Sequence, residues 1–214
     1  MLHKLDRFTI AKSDELIVDT RAHGQYFLNE FSENDIKSHV LYLEADSRYY
    51  YERDQIKPLN LKDKYIVLYF GTVLPLQGVE VVLESMKQLG DDKKIHFVFI
   101  GPLPKDLKSI VDNSPNITMF EWLDQEKLAD WISVSDLCLA GHFNGEIKKA
   151  QRTIPGKAYI YEAMGKKMIL GDCESNKERY PEQYSNVEFV GMGSGTELAH
   201  KIKQICREVS YERE

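Results

Sequence analysis

The sequence has few cysteines, no Cys/His cluster and no long hydrophobic run. Its three cysteines, Cys138, Cys173 and Cys206, are widely spaced and form no CxxC motif, so neither a zinc site nor a disulfide framework is indicated. We interpret them as buried thiols of a reducing compartment, which predicts a cytoplasmic protein. The runs YIVLYF and FVFI are too short for a membrane-spanning helix of about 20 residues, and the start of the chain lacks the apolar core of a signal peptide.

An excess of positive charge is also missing. The 28 Lys and Arg residues against 34 Asp and Glu residues give a net charge of −6, which disfavours sequence-independent nucleic-acid binding, so we expect no nucleic-acid partner. Hydrophobic residues make up 43% of the 214 residues, enough for the core of an ordinary domain. The charged fraction of 29% is near that of soluble globular proteins, which excludes disorder, collagen and coiled coil for the whole chain.

What the sequence does contain is a regular alternation of strand and helix patterns. Most strand candidates are continuous apolar runs, which is typical of parallel strands covered by helices on both faces. The pattern therefore predicts a doubly wound, Rossmann-like α/β domain over residues 58–214. The predicted strands are 65–70, 95–100, 116–121, 136–140, 167–172 and 187–190. The predicted helices are 79–89, 105–113, 125–135 with Asp124 as N-cap, 157–164 and 196–209.

Residues 1–57 form a different, smaller unit. They contain a short strand at 16–19, a helix at 20–31, a strand at 39–43 and then a polar, tyrosine-rich linker. Such a small strand–helix–strand piece cannot bury both faces of its sheet. We therefore expect a remnant of a second domain, and a chain that is truncated at its N-terminus.

Glycines follow four of the predicted strands, at Gly71, Gly101, Gly141 and Gly171. Doubly wound domains bind ligands beyond the carboxyl ends of their strands, where a residue without a side chain lets the backbone approach the ligand. The alternative interpretation for each single glycine is ordinary turn chemistry.

A basic loop followed by a helix start is the most informative segment. Residues 145–167 carry six Lys or Arg against two Glu, Pro155 lies where a helix would begin, and Lys157 follows in its first turn. Free N–H groups and basic side chains together favour an anion, with a phosphate or diphosphate the natural choice at a sheet edge. A solvated basic loop without a ligand is the alternative.

Glu162 lies in the apolar helix segment AYIYEAMG. A carboxylate among Tyr, Ile, Ala and Met needs a partner, because burying it alone is costly. It either accepts hydrogen bonds from vicinal hydroxyls, as an acidic residue does with a ribose, or forms an ion pair with Lys157 or Arg152.

These segments resemble the C-terminal, nucleotide-sugar-binding half of the family 4 (group 1) glycosyltransferases, which have the two-domain GT-B fold. FGTVLPLQGVEVVLESMKQL resembles the first strand–loop–helix of that half, FVFIGP its second strand, and RTIPGKAYIYEAMGKKMILGD its signature helix and following strand. GMGSGTELAHKIKQI resembles the closing turn and helix, and AKSDELIVDTRAHGQYFLNEF resembles the end of the acceptor-side domain.

The resemblance implies a retaining hexosyl transfer from a nucleotide diphosphate sugar to a saccharide or lipid-linked acceptor, in carbohydrate biosynthesis. The nucleotide sugar is a substrate, and no cofactor or metal is implied, because basic groups and a helix N-terminus stabilise the leaving diphosphate. It also implies that the acceptor side of the cleft is mostly absent here, and it leaves peripheral membrane association of the full-length enzyme open.

The resemblance assigns donor-binding roles by position, while catalytic residues stay unassigned. Glu162 matches the family's ribose-binding Glu, and Arg152 and Lys157 lie at or near the phosphates. His142 follows a strand end in the loop that faces the sugar. Two interpretations are open: a polar contact to the sugar, or a surface position without a role. The implied donor-binding residues are Gly71, Thr72, Gln77, Gly101, Glu121, Trp122, His142, Arg152, Lys157 and Glu162, with the base meeting the backbone around Glu121 and Trp122.

Three positions depart from the family pattern. Ile154 replaces the first Glu of the paired-Glu motif, Thr72 replaces an Arg, and Gln77 replaces a Lys. Two cations that neutralise the diphosphate are thus missing, as in a subgroup with Gly-Thr, Gln-Gly and Ile-Pro-x-Lys at these places. We hypothesise that the missing charge is supplied by Lys148, Lys149, Arg152 and Lys157.

Two other functions remain as alternatives. A non-catalytic nucleotide-sugar-binding module would explain the replaced charges, and a nucleotide-sugar epimerase has the same two-domain fold. A nicotinamide dehydrogenase is disfavoured, because no GxGxxG motif follows the first strand of the main domain. In the N-terminal unit, His23 lies at the expected cleft-facing end, and the Tyr49–Tyr51 run suits either a sugar contact or packing at the linker.

Overall fold

The N-terminal unit is built on two parallel strands in the computed structural model, which describes residues 2–31, 36–112 and 114–211. Its elements are α1 (Leu2–Ile10), β1 (Glu15–Val18), α2 (Arg21–Phe31) and β2 (Lys37–Val40). The predicted strand at 16–19 and helix at 20–31 are confirmed to within one residue. The predicted strand at 39–43 is wrong at its carboxyl end, because β2 stops at Val40 and the following residues leave the sheet. Helix α1 was not predicted.

The main domain contains a six-stranded, entirely parallel sheet. Its strands are β3 (Tyr65–Phe70), β4 (Ile95–Ile100), β5 (Ile117–Phe120), β6 (Leu137–Gly141), β7 (Met168–Gly171) and β8 (Val187–Val190). The order across the sheet is β5-β4-β3-β6-β7-β8, and every pairing is parallel. The predicted doubly wound parallel sheet is therefore confirmed, and its order reverses between β3 and β6.

Helices cover both faces of this sheet. They are α3 (Val79–Gln88), α4 (Lys105–Asp112), α5 (Gln125–Val134), α6 (Gly156–Ala163), α7 (Glu174–Arg179) and α8 (Gly195–Tyr211). All except α7 were predicted; residue 113, the predicted end of α4, lies outside the described residues. Asp124 caps α5 as predicted, since its side chain accepts a hydrogen bond from the Lys127 N–H. Among the described residues, no helix is both long and apolar enough to cross a bilayer.

Each face of the sheet has its own apolar core, because the central strands are buried on both sides. On one face, Tyr69 and Phe99 pack against α3 and α8. On the other, Leu68 and Cys138 pack with Tyr161 of α6. Tyr50 of the linker is buried in this second core, which supports the packing interpretation for the tyrosine run. All three cysteines are buried and free, as predicted.

The N-terminal unit docks on the main domain through the start of α2. The Thr20 hydroxyl donates to the backbone carbonyl of Arg152, and the Arg21 N–H donates to the Glu178 carboxylate on α7. Tyr42 also donates its hydroxyl hydrogen to Glu178, at 3.0 Å. These contacts place the carboxyl end of β1 beside the basic loop that precedes α6.

Candidate functional site

The strand order reverses between β3 and β6, and the carboxyl edge of a doubly wound sheet forms its ligand crevice at such a reversal. Gly71 follows β3 and His142 follows β6, the two strands on either side of the reversal. Ligands of doubly wound sheets bind at this position, because the loops from the two halves diverge there. The topology therefore marks Gly71 and His142 as neighbours of a binding crevice.

Two loops meet so closely beside this crevice that a side chain cannot fit between them. Gly101, after β4, has φ +152°, and a Cβ atom there would overlap the carbonyl oxygen of Gly71. A Cβ atom on Gly171 would likewise overlap the carbonyl oxygen of His142. Close backbone packing between neighbouring loops thus requires these glycines whether or not a ligand is present.

Lys157 is the central charged group of the crevice. Pro155 is the N-cap of α6, so Lys157 lies in the first turn of the helix as predicted, and its residue is only 6% exposed. Its Nζ lies 3.1 Å from where a Cβ of Gly71 would be and 3.9 Å from the centroid of the Tyr69 ring. Among the described residues it has no hydrogen-bond partner, and burial lowers the pKa of Lys157 to about 7.

His142 and Gln77 add two more buried polar groups. His142 is 3% exposed, so the surface-loop interpretation of this histidine is wrong. Burial, followed by the charges of Lys157 and Lys149, lowers the pKa of His142 to about 4, which makes the imidazole neutral at pH 7. The His142 Nδ1 and the Gln77 Oε1 are both buried without a hydrogen-bond partner in the described part of the chain.

These unpartnered groups give the crevice its chemistry. Buried polar atoms are normally hydrogen-bonded, so the unpaired atoms of Lys157, His142 and Gln77 together offer a polar ligand both donors and an acceptor. Lys157 offers three N–H donors once protonated, and the first turn of α6 offers backbone N–H groups and a partial positive charge. An anion with several acceptor oxygens would satisfy both.

The hydrogen-bond partners of Glu162 differ from those predicted. Its two carboxylate oxygens accept hydrogen bonds from Nη2 of Arg179, at 2.7 and 2.8 Å, and one also accepts from the Tyr180 hydroxyl at 3.1 Å. The ion pair with Lys157 or Arg152 is therefore wrong. The side chain of Glu162 is 29% exposed, so its carboxylate oxygens can still accept hydrogen bonds from hydroxyl groups of a ligand.

Arg152 lies at a second opening, on the side of the N-terminal unit. Its guanidinium stacks on the ring of Tyr26, 3.5 Å from the centroid, and its Nε is buried without a hydrogen-bond partner in the described residues. It borders a cavity of about 470 Å³ whose other lining residues are Gly145, Gln151, Asp172, Cys173, Glu174 and Met192. The cavity follows β7, one strand beyond His142.

The remaining predicted residues are less enclosed. Thr72 is exposed, directly after Gly71. Glu121 and Trp122 follow the edge strand β5; Glu121 pairs with Lys108 at 2.8 Å, and Trp122 is 77% exposed. Lys148 and Lys149 are exposed in a short 3₁₀ helix, and Ile154 is buried in the core below α6. The structure thus brings Gly71, Gln77, Gly101, His142 and Lys157 together. Glu162 is paired with Arg179, Arg152 lies at the second opening, and the exposed residues are Thr72, Glu121, Trp122, Lys148 and Lys149.

In the N-terminal unit, His23 is hydrogen-bonded through Nδ1 to the Asp19 carboxylate at 2.6 Å. Among the described residues, no group of three or more His, Cys, Asp or Glu side chains is arranged to hold a metal ion.

Sequence reasoning missed Tyr69, Arg179 and Tyr26 as site residues. Tyr69 looks like one more apolar position of a buried strand, and Arg179 lies in a helix without apolar periodicity. A signal was available only for Arg179, since Glu162 required a partner and Arg179 is a cation on the next helix along the chain.

The comparisons with known proteins agree with the fold described above. A family model described as "Glycosyl transferases group 1" matches residues 64–208. The chain is similar in fold to sucrose-phosphate synthase from Thermosynechococcus elongatus (TM-score 0.77, 17% identity, covering 98% of this chain and 53% of that one). It is also similar to Anabaena HepE in complex with UDP and glucose (TM-score 0.76, 13% identity, covering 97% and 59%). A shorter match is the C-terminal domain of LpcC from Francisella tularensis (TM-score 0.54, 15% identity, covering 75% and 87%).

The chain thus spans little more than half the length of the first two structures. At sequence identities of 13–17%, these comparisons show similarity of fold only. No curated protein sequence matches the chain.

Proposed function

Because the chain belongs to the group 1 glycosyl transferases, we propose that its crevice binds the diphosphate of a nucleotide-sugar donor, with Lys157 as the principal cation. The observation that carries the proposal is the buried Lys157 Nζ, which has no hydrogen-bond partner among the described residues and lies next to the loop after β3. A buried lysine without a partner is strongly stabilised by a bound anion, since the anion supplies both a counter-charge and hydrogen-bond acceptors.

In the transferase reaction, the diphosphate leaves with negative charge that the protein must stabilise. Lys157 and the first turn of α6 are positioned before the reaction and shielded from water, which makes their electrostatic contribution large. This supports transfer without a metal ion. The neutral His142 imidazole contributes hydrogen bonding without adding charge.

The rest of the donor extends away from Lys157 in our proposal. The Glu162 carboxylate accepts hydrogen bonds from the ribose hydroxyls. The base contacts the exposed region around Trp122. The Arg152 cavity receives the sugar and lies next to the N-terminal unit, from which the acceptor approaches. Retention of configuration, a saccharide or lipid-linked acceptor and a hexosyl donor belong to the same proposal.

Titration calorimetry with UDP, GDP, ADP and inorganic pyrophosphate tests donor binding directly. UDP is the first choice, because the similar Anabaena structure contains UDP and glucose. We expect Lys157→Met to weaken UDP binding by about 10- to 100-fold, the loss of one charged hydrogen-bonding partner. Lys105→Met is the matched control, because Lys105 is an exposed lysine at the start of α4. Equal UDP affinity of Lys157→Met and the native protein would overturn the proposal.

A binding module without turnover is the second candidate, and one observation favours it. Ile154 occupies the place of the family's first Glu and is buried in the apolar core, so it offers the donor sugar no polar group. Release of free sugar or transfer from a UDP-sugar, measured on the protein with a complete acceptor domain, distinguishes the two. Turnover supports the transferase, and tight donor binding without turnover supports the module.

A further inference from the structure

The carboxylate of Glu162 is held by the last residue of the next helix, α7. Nη2 of Arg179 donates to both carboxylate oxygens, at 2.7 and 2.8 Å, and the Tyr180 hydroxyl donates to Oε2 at 3.1 Å. Arg179 thus supplies two of the three hydrogen bonds that Glu162 accepts in the described part of the chain. Charge-assisted hydrogen bonds of this length are strong, so the pair fixes the direction of the carboxylate.

Arg179 is itself held in place by aromatic side chains. Its Nη1 donates to the Tyr184 hydroxyl at 3.0 Å. Its guanidinium carbon lies 4.8 Å from the ring centroid of Tyr180 and 5.2 Å from that of Tyr42, which belongs to the segment after β2. The Arg179 side chain is only 18% exposed, and this packing restricts its rotamers.

One oxygen of Glu162 has room for a further donor. A carboxylate oxygen accepts about two hydrogen bonds, and Oε2 already accepts two. Oε1 accepts one among the described residues, from Arg179. A hydroxyl group of a ligand can therefore bind to Oε1 while the pair with Arg179 stays intact.

The order of the Glu162 side chain matters for binding, because glutamate is among the side chains that lose most rotamer freedom when they are fixed. If the protein fixes the carboxylate before the ligand arrives, binding does not have to overcome that loss of entropy. Lys157 and Glu162 both belong to α6, so the helix backbone sets the distance between them. The pair with Arg179 sets the direction of the carboxylate.

We propose that Arg179 is a positioning residue, which orients the Glu162 carboxylate so that Oε1 accepts a hydrogen bond from a ribose hydroxyl of the donor. Arg179 acts through Glu162 and does not touch the donor. The inference rests on the proposed function, because it concerns how the same site recognises the nucleoside. Arg179 should therefore affect the binding of ligands with ribose hydroxyls and of no others.

Titration calorimetry with three ligands tests the proposal. UDP has both ribose hydroxyls, 2′,3′-dideoxy-UDP keeps the base and the diphosphate but has neither hydroxyl, and inorganic pyrophosphate has no nucleoside. We expect the native protein to prefer UDP over the dideoxy ligand about 10-fold, the effect of one hydrogen bond to a charged group. Arg179→Gln should reduce this preference to about two-fold or less. Its affinities for dideoxy-UDP and pyrophosphate should stay at the native values.

Two milder variants keep the test decisive if Arg179→Gln does not fold. Arg179→Lys keeps a cation for Glu162 and should restore part of the preference for UDP. Tyr184→Phe removes the acceptor of Arg179 Nη1 without touching Glu162, and it should lower the preference about two-fold.

A double variant and a matched control complete the design. In a Glu162→Gln background, Arg179→Gln should have no further effect on the preference, because the two residues act as a unit. Lys177→Gln should bind all three ligands like the native protein, since Lys177 is a cation of α7 that pairs with Asp172.

The inference is overturned if folded Arg179→Gln keeps the native preference for UDP or strengthens it. It is also overturned if this variant loses pyrophosphate affinity as strongly as UDP affinity, which would place Arg179 on the phosphates. A native protein that binds all three ligands equally well would keep the diphosphate site and remove both Glu162 and Arg179 from nucleoside recognition. If the native protein binds none of the three, the inference and the proposed function fail together.

Discussion

The ammonium group of Lys157 lies 3.9 Å from the centroid of the Tyr69 ring, with no hydrogen-bond acceptor for it in the described part of the chain. A desolvated cation–π contact contributes about 2 kcal/mol, whereas burying an ammonium without a counter-charge costs several kcal/mol. Burial prevails and lowers the pKa of Lys157 to about 7. Lys157 therefore weakens the folded state at neutral pH, as expected of a residue placed for a ligand.

Replacing Lys157 should consequently have opposite effects on stability and on binding. We expect Lys157→Met to raise the free energy of unfolding at pH 7 by about 1–3 kcal/mol, because a buried charge gives way to an apolar group of similar length. The same variant should lose affinity for UDP. Urea unfolding and calorimetry measure the two quantities. A variant that is less stable and still binds UDP would mean that Lys157 is structural.

The stability gain should also depend on pH. The pKa of Lys157 falls from 10.5 to about 7 on folding, so between these values the unfolded state binds more protons. The contribution of Lys157 to stability thus rises with pH in this window. The difference between Lys157→Met and the native protein should shrink as the pH is raised from 7 towards 10. A constant difference would contradict the low pKa.

Donor binding should be linked to proton uptake for the same reason. A bound diphosphate raises the pKa of Lys157, so at pH 8 the lysine takes up a proton when the ligand binds. Affinity should fall as the pH rises above about 7. The second phosphate pKa of about 6 lies below this range. In the protein without ligand, His142 is neutral above pH 7, because burial lowers its pKa to about 4.

Calorimetry at pH 8 in Tris and in HEPES measures this uptake, because the two buffers release protons with different heats. The native protein should give a buffer-dependent binding heat, and any binding that remains in Lys157→Met should be buffer-independent. Equal heats for the native protein in both buffers would exclude the linkage.

Glu162 offers a way to separate recognition of the nucleoside from recognition of the phosphates. Glu162→Gln breaks a partly buried pair with Arg179 and should cost about 1–2 kcal/mol of stability. If Glu162 also binds the ribose, affinity for UDP should fall while affinity for inorganic pyrophosphate stays the same. Tyr180→Phe is the control, because it removes one hydrogen bond to Glu162 and leaves the carboxylate in place. Equal loss for both ligands would assign Glu162 a structural role only.

How far the sequence predicts this protein depends on how local each signal is. Strands β3 and β8 have the predicted ends, since a continuous apolar run between polar residues is a local property. Helix α7 has no apolar residue, and its buried Asn176 is held by a hydrogen bond to the Gly171 carbonyl, so periodicity gives no signal there. Helix α1 buries Ile10 but leaves Leu5 and Phe8 exposed, so its apolar residues do not form one continuous buried face.

In the site, too, local features follow from the sequence and tertiary contacts do not. The first-turn position of Lys157 follows from the local signal of Pro155, whereas its contact with Tyr69 depends on the sheet order that places β3 beside β6. The Glu162–Arg179 pair likewise joins two helices separated by strand β7. Sequence reasoning recognised that Glu162 needs a partner and chose the wrong cation, because the choice is made by tertiary packing.

Two glycines near the crevice should respond differently to alanine. Gly101→Ala places a methyl group against the Gly71 carbonyl oxygen at a φ of +152°, so we expect a loss of at least about 2 kcal/mol in stability. At Gly156, the start of α6, a Cβ atom would meet nothing within 4 Å, and Gly156→Ala should be neutral or stabilising by up to about 1 kcal/mol. Thermal unfolding measures both. A stable Gly101→Ala would contradict the close loop packing.

Thr72 permits a gain-of-function test of the missing cations. Because Thr72 is exposed next to Gly71, Thr72→Arg should fold normally and bring a second positive charge to the crevice loop. We expect about five-fold tighter binding of UDP, the effect of one exposed ion pair, and a steeper loss of affinity with salt. Thr9→Arg, at an exposed position of α1, controls for the change in net charge. If both variants tighten binding equally, the effect comes from the overall charge, and the diphosphate does not lie beside Thr72.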